Sequence, residues 1–267
     1  MGLNVSASVV VYDTPLSTLR KCVDSFLRSR VKALYLVDNS MEGIGEAFRG
    51  YRKVIYIKTH KNIGFGAANN LALKEALAKG FKYHIVANPD IYFGSEVVDS
   101  LYSFMEVNPD IGAVMPRVLF PNGKEQNLRR DLPTPLNLIR RRLFSQFSSN
   151  GNGKPCTRVV DVPFLSGCFM FIRTSVLKKV DLFDERFFLY MEDVDLSRRI
   201  GEVSRTVFYP YVHIYHEWQR YSYKDLKHLL IHIESAIKYF AKWGMFNTST
   251  GFRSSQSREN LFDYSSK

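Results

Sequence analysis

Along the first third of the chain two hydrophobic periods take turns, and that alternation narrows the fold more than any single motif. Val5 to Tyr12 is a β-branched run of strand length, and Thr14-Pro15 then supplies a helix cap and a first-turn proline. Leu19, Cys22, Val23, Phe26 and Leu27 follow at helical spacing and form one apolar face. Strand-like runs return at Ala33 to Val37, Val54 to Lys58 and Tyr83 to Ala87, and a helix from about Gly66 to Lys79 closes at Gly80. The βαβα order predicts an α/β fold with a mainly parallel, doubly wound sheet, in which ligands bind beyond the carboxyl ends of the strands.

The residues at those ends are polar. Tyr12-Asp13 leaves the first strand, Asp38-Asn39-Ser40 the second and Asn88-Pro89-Asp90 the fourth. Taken singly, each is ordinary turn chemistry. Taken together, they gather carboxylates around one crevice in a chain of net charge +11, a repulsion that a metal ion or base-pairing donors would relieve. Asn62-Ile63-Gly64-Phe65-Gly66-Ala67-Ala68-Asn69-Asn70 is a glycine-containing turn leading into a helix whose N-terminus favours a phosphate. It lacks the spacing of a dinucleotide fingerprint, and no P-loop occurs.

Further on, Phe187 to Arg199 crowds Glu192, Asp193 and Asp195 behind aromatic and apolar residues. Two readings stand side by side here. A carboxylate in an apolar pocket is tuned toward a general base, whereas acids at a helix start serve the dipole and the cap.

Composition sets the outer bounds. With 267 residues and 45% hydrophobic content the chain buries a sizeable core, and its basic excess calls for an acidic partner. Cys22, Cys156 and Cys168 lie far apart and outside any CxxC spacing, which indicates neither a disulfide framework nor a zinc site and fits a reducing cytoplasm. Met1-Gly2-Leu3-Asn4 leads into a strand without signal-peptide character, and no segment is long and apolar enough to span a bilayer.

In their order and spacing, SVVVYD (Ser8 to Asp13), VDNS (Val37 to Ser40), NIGFGAANN (Asn62 to Asn70), NPD (Asn88 to Asp90), SGCFMFIR (Ser166 to Arg173), FFLYMEDVDLSRR (Phe187 to Arg199) and HEWQRYS (His216 to Ser222) resemble the family 2 glycosyltransferases. The likeness is greatest to their bacterial rhamnosyltransferase-like branch and implies a GT-A fold in one domain over residues 1–246. A donor part would cover about 1–118 and an acceptor and catalytic part about 119–246. The resemblance implies that Tyr12, Asp13 and Asp38 line the nucleotide pocket, with Asp38 at the pyrimidine. Asn62, Gly64 and Asn69 would lie near ribose and diphosphate. Asn88-Pro89-Asp90 stands where the family has DxD, so Asp90, completed by His216, would hold a divalent cation, Mg2+ or Mn2+. Asn88 replaces the first acid of that motif and would itself face the nucleotide-sugar donor. Asp193 matches the family's catalytic base, with Glu192 in support.

The remaining features concern surfaces. Arg129, Arg130 and Arg140 to Arg142 form a basic region, read either as a solvated face or as an anchor on an anionic membrane. Nucleic acid is not expected, since no recognition motif accompanies the charge. A helix from about Tyr223 to Trp243 carries Leu226, Leu229, Leu230, Ile233, Ile237 and Phe240 in one stripe, expected to pack, with bilayer contact or homo-oligomer formation as alternatives. Ser145 to Pro155 reads as a flexible loop and 247–267 as a polar tail. The expected activity is inverting transfer of a sugar, rhamnose from dTDP-rhamnose first, from a nucleotide-sugar donor to a saccharide hydroxyl. A lipid-diphosphate-linked acceptor in bacterial surface polysaccharide synthesis (O-antigen or capsule) fits, with the enzyme cytoplasmic and peripheral at the membrane. The alternatives are a sugar-phosphate nucleotidyltransferase and a noncatalytic basic protein that binds nucleic acid or membrane.

Overall fold

Strand β1 (Val5–Val11) is buried along its whole length, because its neighbours cover both of its edges and helices cover both of its faces. It pairs in parallel with β2 (Ala33–Asp38) on one side and β4 (Tyr83–Ala87) on the other, and β2 pairs in parallel with β3 (Val54–Lys58). The computed structural model describes residues 3–126, 128–143, 156–217 and 226–245. The expected Ser145 to Pro155 loop, Trp218 to Ser222 and the tail 247–267 lie outside the described residues.

Helix α1 (Leu16–Arg28) buries Leu19, Cys22, Val23 and Phe26 as its spacing requires. Its entry differs from the sequence reading. Pro15 is the cap residue, its carbonyl accepts the Thr18 and Leu19 N–H groups, and the Thr14 hydroxyl turns back to the Tyr12 carbonyl. Helix α2 (Phe65–Ala78) covers the opposite face through Ala68, Ala72 and Ala76, small residues that bring its backbone close to the sheet. Gly80, at φ +70°, ends it by donating to the Leu77 carbonyl.

Beyond β4 the sheet becomes mixed. β8 (Phe169–Arg173) runs antiparallel to β4 and to β6 (Ile111–Leu119). β9 (Arg205–His216) runs parallel to β6, and the short β5 (Ile91–Phe93) and β7 (Val160–Asp161) pair antiparallel with β9. The order along the sheet is β3-β2-β1-β4-β8-β6-β9-β5. The connections supply α3 (Glu96–Val107), α4 (Pro135–Leu143), α5 (Thr174–Val180) and α6 (Glu192–Val203), and α7 (Leu226–Trp243) follows. One continuous sheet therefore carries the exits of β1, β2 and β4 to the same edge, where the turn before β8 and the start of α6 meet them.

The expected helix start at 223–225 lies outside the described residues, and from Leu226 on α7 turns most of its stripe the other way. Ser235 and Tyr239 are its buried residues, with Ala236, Phe240 and Trp243 packed on the cluster of Leu132, Phe187, Met191 and Val194. Leu226, Leu230, Ile233 and Ile237 are exposed. Of the expected stripe Phe240 packs as foreseen, and the packing of the other members is corrected: histidine, serine and tyrosine find hydrogen-bond partners on the inner side, and Leu226, Leu230, Ile233 and Ile237 are left outside.

Candidate active site

The exits of β1 and β2 are tied into one wall. Asp38 is fully buried, and its carboxylate accepts the Ser40 N–H (2.9 Å), the Ile44 N–H (3.0 Å) and the Tyr56 hydroxyl (2.6 Å). Burial and then Asp38 itself push the Tyr56 phenol up to about 12, so it remains a donor. Asp38 thus organises the wall of the crevice, and a ligand ring nitrogen would compete with partners already in place. The Ser40 hydroxyl meets the Asp13 N–H at 3.0 Å, and Tyr12 and Asp13 stand exposed at the rim.

Gly64 is where the next wall needs glycine. Its φ of +90° and ψ of 167° fall in a region closed to side chains, and a Cβ there would lie 2.4 Å from the Phe188 carbonyl oxygen. That oxygen accepts the Phe65 N–H at 2.9 Å, which locks the start of α2 to the segment leading into α6. Asn62 Oδ1 accepts the Gly64 N–H (3.0 Å) and the Asn39 amide (3.3 Å), and the Asn39 amide also donates to the Gly64 carbonyl.

Asn69 is fully buried, so its side chain faces the core and not the crevice. Its Oδ1 accepts from Ser8 (2.7 Å) and its amide donates to the Phe65 carbonyl (3.1 Å). Ser8 has spent its proton on Asn69, so it accepts from His84 Nε2 (2.8 Å), and His84 Nδ1 then accepts from Ser6 (2.8 Å). Burial pulls the His84 pKa down to about 3, which keeps the ring neutral. This relay, invisible to motif reading, braces the first residue of α2 from within the sheet. The only trace in the sequence is polar Ser6, Ser8 and His84 in strands that are otherwise apolar.

At the β4 exit Asn88, Asp90 and His216 converge. His216 Nε2 lies 3.3 Å from Asp90 Oδ1 and 3.4 Å from the Asn88 amide. The Asp90 contact is one of distance alone, because among the described residues the buried Oδ1 has no hydrogen-bond partner. Gln126 accounts for this. Its amide nitrogen donates to the His216 carbonyl (2.8 Å) and the Leu119 carbonyl (3.4 Å), so its oxygen must face His216 Nδ1, at 3.1 Å. The proton therefore sits on Nδ1, and Nε2 accepts the long contact from the Asn88 amide with the Asp90 carboxylate oxygen beside it. A carboxylate oxygen without a donor beside an imidazole nitrogen held only by a long amide contact suits a cation, so the residues fit a divalent ion whose remaining ligands come from elsewhere. Among the described residues no group of three His, Cys, Asp or Glu side chains gathers. Gln126 carries no motif, and the sequence reading missed it.

The turn Ser166-Gly167-Cys168 joins this seat to the acids of α6. The Cys168 carbonyl accepts the Asn88 N–H (3.1 Å), and the neighbouring Gly167 N–H donates to Asp193 Oδ2 (2.9 Å). Asp193 Oδ1 accepts the Val194 N–H (2.8 Å). Burial raises the Asp193 pKa, while those two N–H groups and the Arg130 charge hold it down. Glu192 is raised well above the usual carboxylate range by burial and by Asp193, and its Oε2 has no partner. The geometry favours the negative charge on Asp193, which accepts two N–H groups, over Glu192, whose Oε2 has no donor among the described residues. Asp195 has a different task. Fully buried, it binds Arg199 (2.9 Å), the Trp243 indole N–H (2.8 Å) and Lys242 (2.7 Å), anchoring α7 to α6.

The segment before α6 is strained. Tyr190 and Met191 occupy left-handed backbone in succession, at φ +69° and +67°. Helix α7 holds them there: Ser235 donates to the Leu189 carbonyl (2.8 Å), and Tyr190 Oη lies 3.1 Å from His228 Nδ1.

The open sheet, parallel through β1 to β4 and mixed beyond, is a GT-A glycosyltransferase fold. The chain belongs to glycosyl transferase family 2, whose model matches residues 6–181. It is 28% identical over 239 residues to an N-acetylglucosaminyl-diphospho-decaprenol L-rhamnosyltransferase of Mycobacterium tuberculosis, covering 81% of this chain and 77% of that one. Among solved structures, GalNAc-T7 with UDP, GalNAc and Mn2+ has a TM-score of 0.65 at 15% identity, covering 90% of this chain. The chain corresponds to about half of that protein, 48% of its length. The mannosyltransferase PcManGT from Pyrobaculum calidifontis, with GDP-Man and Mn2+, has a TM-score of 0.61 at 16% identity, covering 89% and 65% of the two chains. The nucleotidyltransferase and noncatalytic readings are set aside by the family.

Proposed function

We propose that the protein is an inverting glycosyltransferase that moves rhamnose from dTDP-rhamnose to a hydroxyl of a lipid-diphosphate-linked saccharide, in the assembly of a bacterial surface polysaccharide. The observation that carries this reading is the Ser166-Gly167-Cys168 turn, which sets Asp193 beside the Asn88–Asp90 exit. The mycobacterial relative, whose name states a diphospho-decaprenol acceptor and an L-rhamnosyl group, supports the substrates.

Residues of about 1–118 receive the donor. Tyr12, Asp13 and the loop organised by Asp38 face the nucleoside, while the Asn62–Gly64 turn and the start of α2 face ribose and diphosphate. Asp90 and His216 would hold a Mg2+ or Mn2+ ion, which supplies charge to offset the leaving diphosphate. Asn88 would add an uncharged group to that seat, and the negative charge around the ion would then come largely from the donor diphosphate.

Residues of about 119–246 receive the acceptor. Asp193 takes the proton from the acceptor hydroxyl as its oxygen bonds to the anomeric carbon, and the bond to the nucleoside diphosphate breaks on the opposite face. Configuration inverts, with no covalent enzyme intermediate. Glu192, protonated, holds charge away from its neighbour and orients the acceptor.

The test is incubation with a panel of nucleotide sugars and a GlcNAc-diphosphate-polyprenol acceptor, with the anomeric configuration of the product read by NMR. Transfer from dTDP-rhamnose with inversion is expected. A retained configuration would overturn the mechanism, and exclusive use of another donor would overturn the choice of sugar.

A further inference from the structure

The outer face of α7 exposes a row of large aliphatic side chains. Leu226, Leu230, Ile233 and Ile237 are between 47 and 70% exposed and follow one another at four- and three-residue steps, which places them in a single row along the helix. Met245, just past its end, is 56% exposed. A helix that only covered a core would turn these residues inward, as α1 does. No described helix is long and apolar enough to cross a membrane.

The charge beside the row selects the occupant. Lys227, Glu234, Lys238 and Lys242 are the charged residues of α7, so the helix is net basic, although Lys238 pairs with Glu234 (2.7 Å) and Lys242 turns inward onto Asp184 and Asp195. Helix α4 packs Leu138 against the same cluster as Phe240 and Trp243, and it exposes Leu136 and Arg140 in a sequence with three arginines and no acid. Two copies meeting through this face would bring basic flanks together, whereas an anionic bilayer attracts them. An apolar row flanked by lysine is the pattern of a helix lying in the bilayer interface.

The inner face of the same helix explains why the surface is here. Ser235 binds the Leu189 carbonyl, Lys238 binds the Arg186 carbonyl (2.8 Å) and Lys242 binds Asp184 (2.8 Å). The segment so gripped runs directly into Glu192 and Asp193. One helix thus faces outward with an aliphatic row and inward onto the wall that receives the acceptor.

We propose that α7, extended by Leu136 and Arg140 of α4, is a docking face for an anionic lipid bilayer, seating the acceptor side of the enzyme at the membrane. This deepens the functional reading above and rests on its lipid-linked acceptor. The experiment is co-sedimentation of the full chain with phosphatidylcholine vesicles, with and without phosphatidylglycerol, for the native protein and for Leu230→Glu/Ile233→Glu. Both positions are exposed, so the melting temperature of the variant should match the native one. Native protein should partition onto phosphatidylglycerol vesicles at least tenfold better than the variant and better than onto phosphatidylcholine alone. Donor hydrolysis in vesicle-free buffer should be equal in both. Equal partitioning of the two proteins, or no preference for phosphatidylglycerol, overturns the proposal. So does a native dimer, seen by light scattering, that the variant dissolves without changing vesicle binding, since the row would then belong to a second copy. If vesicle binding follows the row while neither protein acts on any nucleotide sugar, the catalytic reading fails and the docking face stands.

Discussion

Replacing Gly64 by alanine perturbs one point where the donor turn and the catalytic segment touch. Gly64 sits at φ +90° and ψ 167°, and an added Cβ would stand 2.4 Å from the Phe188 carbonyl oxygen, a backbone atom that cannot swing aside. The conformational penalty in that region is about 2 kcal/mol. Moving the carbonyl away also strands the Phe65 N–H that it accepts at 2.9 Å, a further cost of about 2 kcal/mol for a buried donor left unpaired. The sum is about 4 kcal/mol, which for a domain of this size lowers the melting temperature by roughly 8–16 °C. Gly50 supplies the internal control. Its φ is +87°, yet nothing lies within 4 Å of its would-be Cβ, so Gly50→Ala should cost only about 1 kcal/mol of backbone strain. Urea denaturation and thermal melting of both variants separate clash from strain, and donor titration of Gly64→Ala should show weakened binding. A Gly64→Ala protein no less stable than Gly50→Ala would refute the claim that the two segments are locked together.

Three further outcomes are expected. Asp193→Asn should lower turnover on the order of 10²–10⁴-fold while donor affinity, measured by calorimetry, stays unchanged; near-native turnover removes Asp193 as the base. Gln126→Leu should weaken Mn2+ binding in the presence of nucleoside diphosphate by roughly 10–100-fold, with Gln126→Glu recovering part of it, because only an acceptor facing Nδ1 keeps the His216 lone pair on Nε2. Equal Mn2+ titrations would deny that role. The pKa of Glu192 is raised in the fold, so the native state holds its proton more tightly than the unfolded chain, and the associated stability is complete below the unfolded value and lost as pH rises through the folded one. Glu192→Gln should therefore melt with the native protein near pH 4 and above it at pH 8, and a difference of the opposite sign would show that the carboxyl is ionised and satisfied.

The division of labour among the three acids of α6 shows how far sequence carries. Their types and their place behind aromatic residues raise two readings, catalysis and capping, and the family motifs favour the first. The structure adds a third that spacing does not contain. Asp195 anchors α7 through Trp243 and Lys242, partners 48 and 47 positions away. Asn69 departs in a similar way: the motif places it near the donor, while its side chain is spent within the core on Ser8 and the Phe65 carbonyl.

Local rules determined the elements. The β-branched runs, the helical spacing of α1 and the glycine that ends α2 depend on neighbours within a few residues, so β1 to β4, α1 and α2 could be read directly from sequence. Only tertiary structure decided the mixed half of the sheet, the separation of Glu192 from Asp193, the Gln126 support of His216 and the side that α7 turns inward. Each of these is a competition among groups distant in the chain for burial, a proton or a hydrogen bond. An aliphatic stripe predicts that some face will be covered; which face wins depends on whether Ser235, Tyr239 and Trp243 find partners across the fold, and here they do.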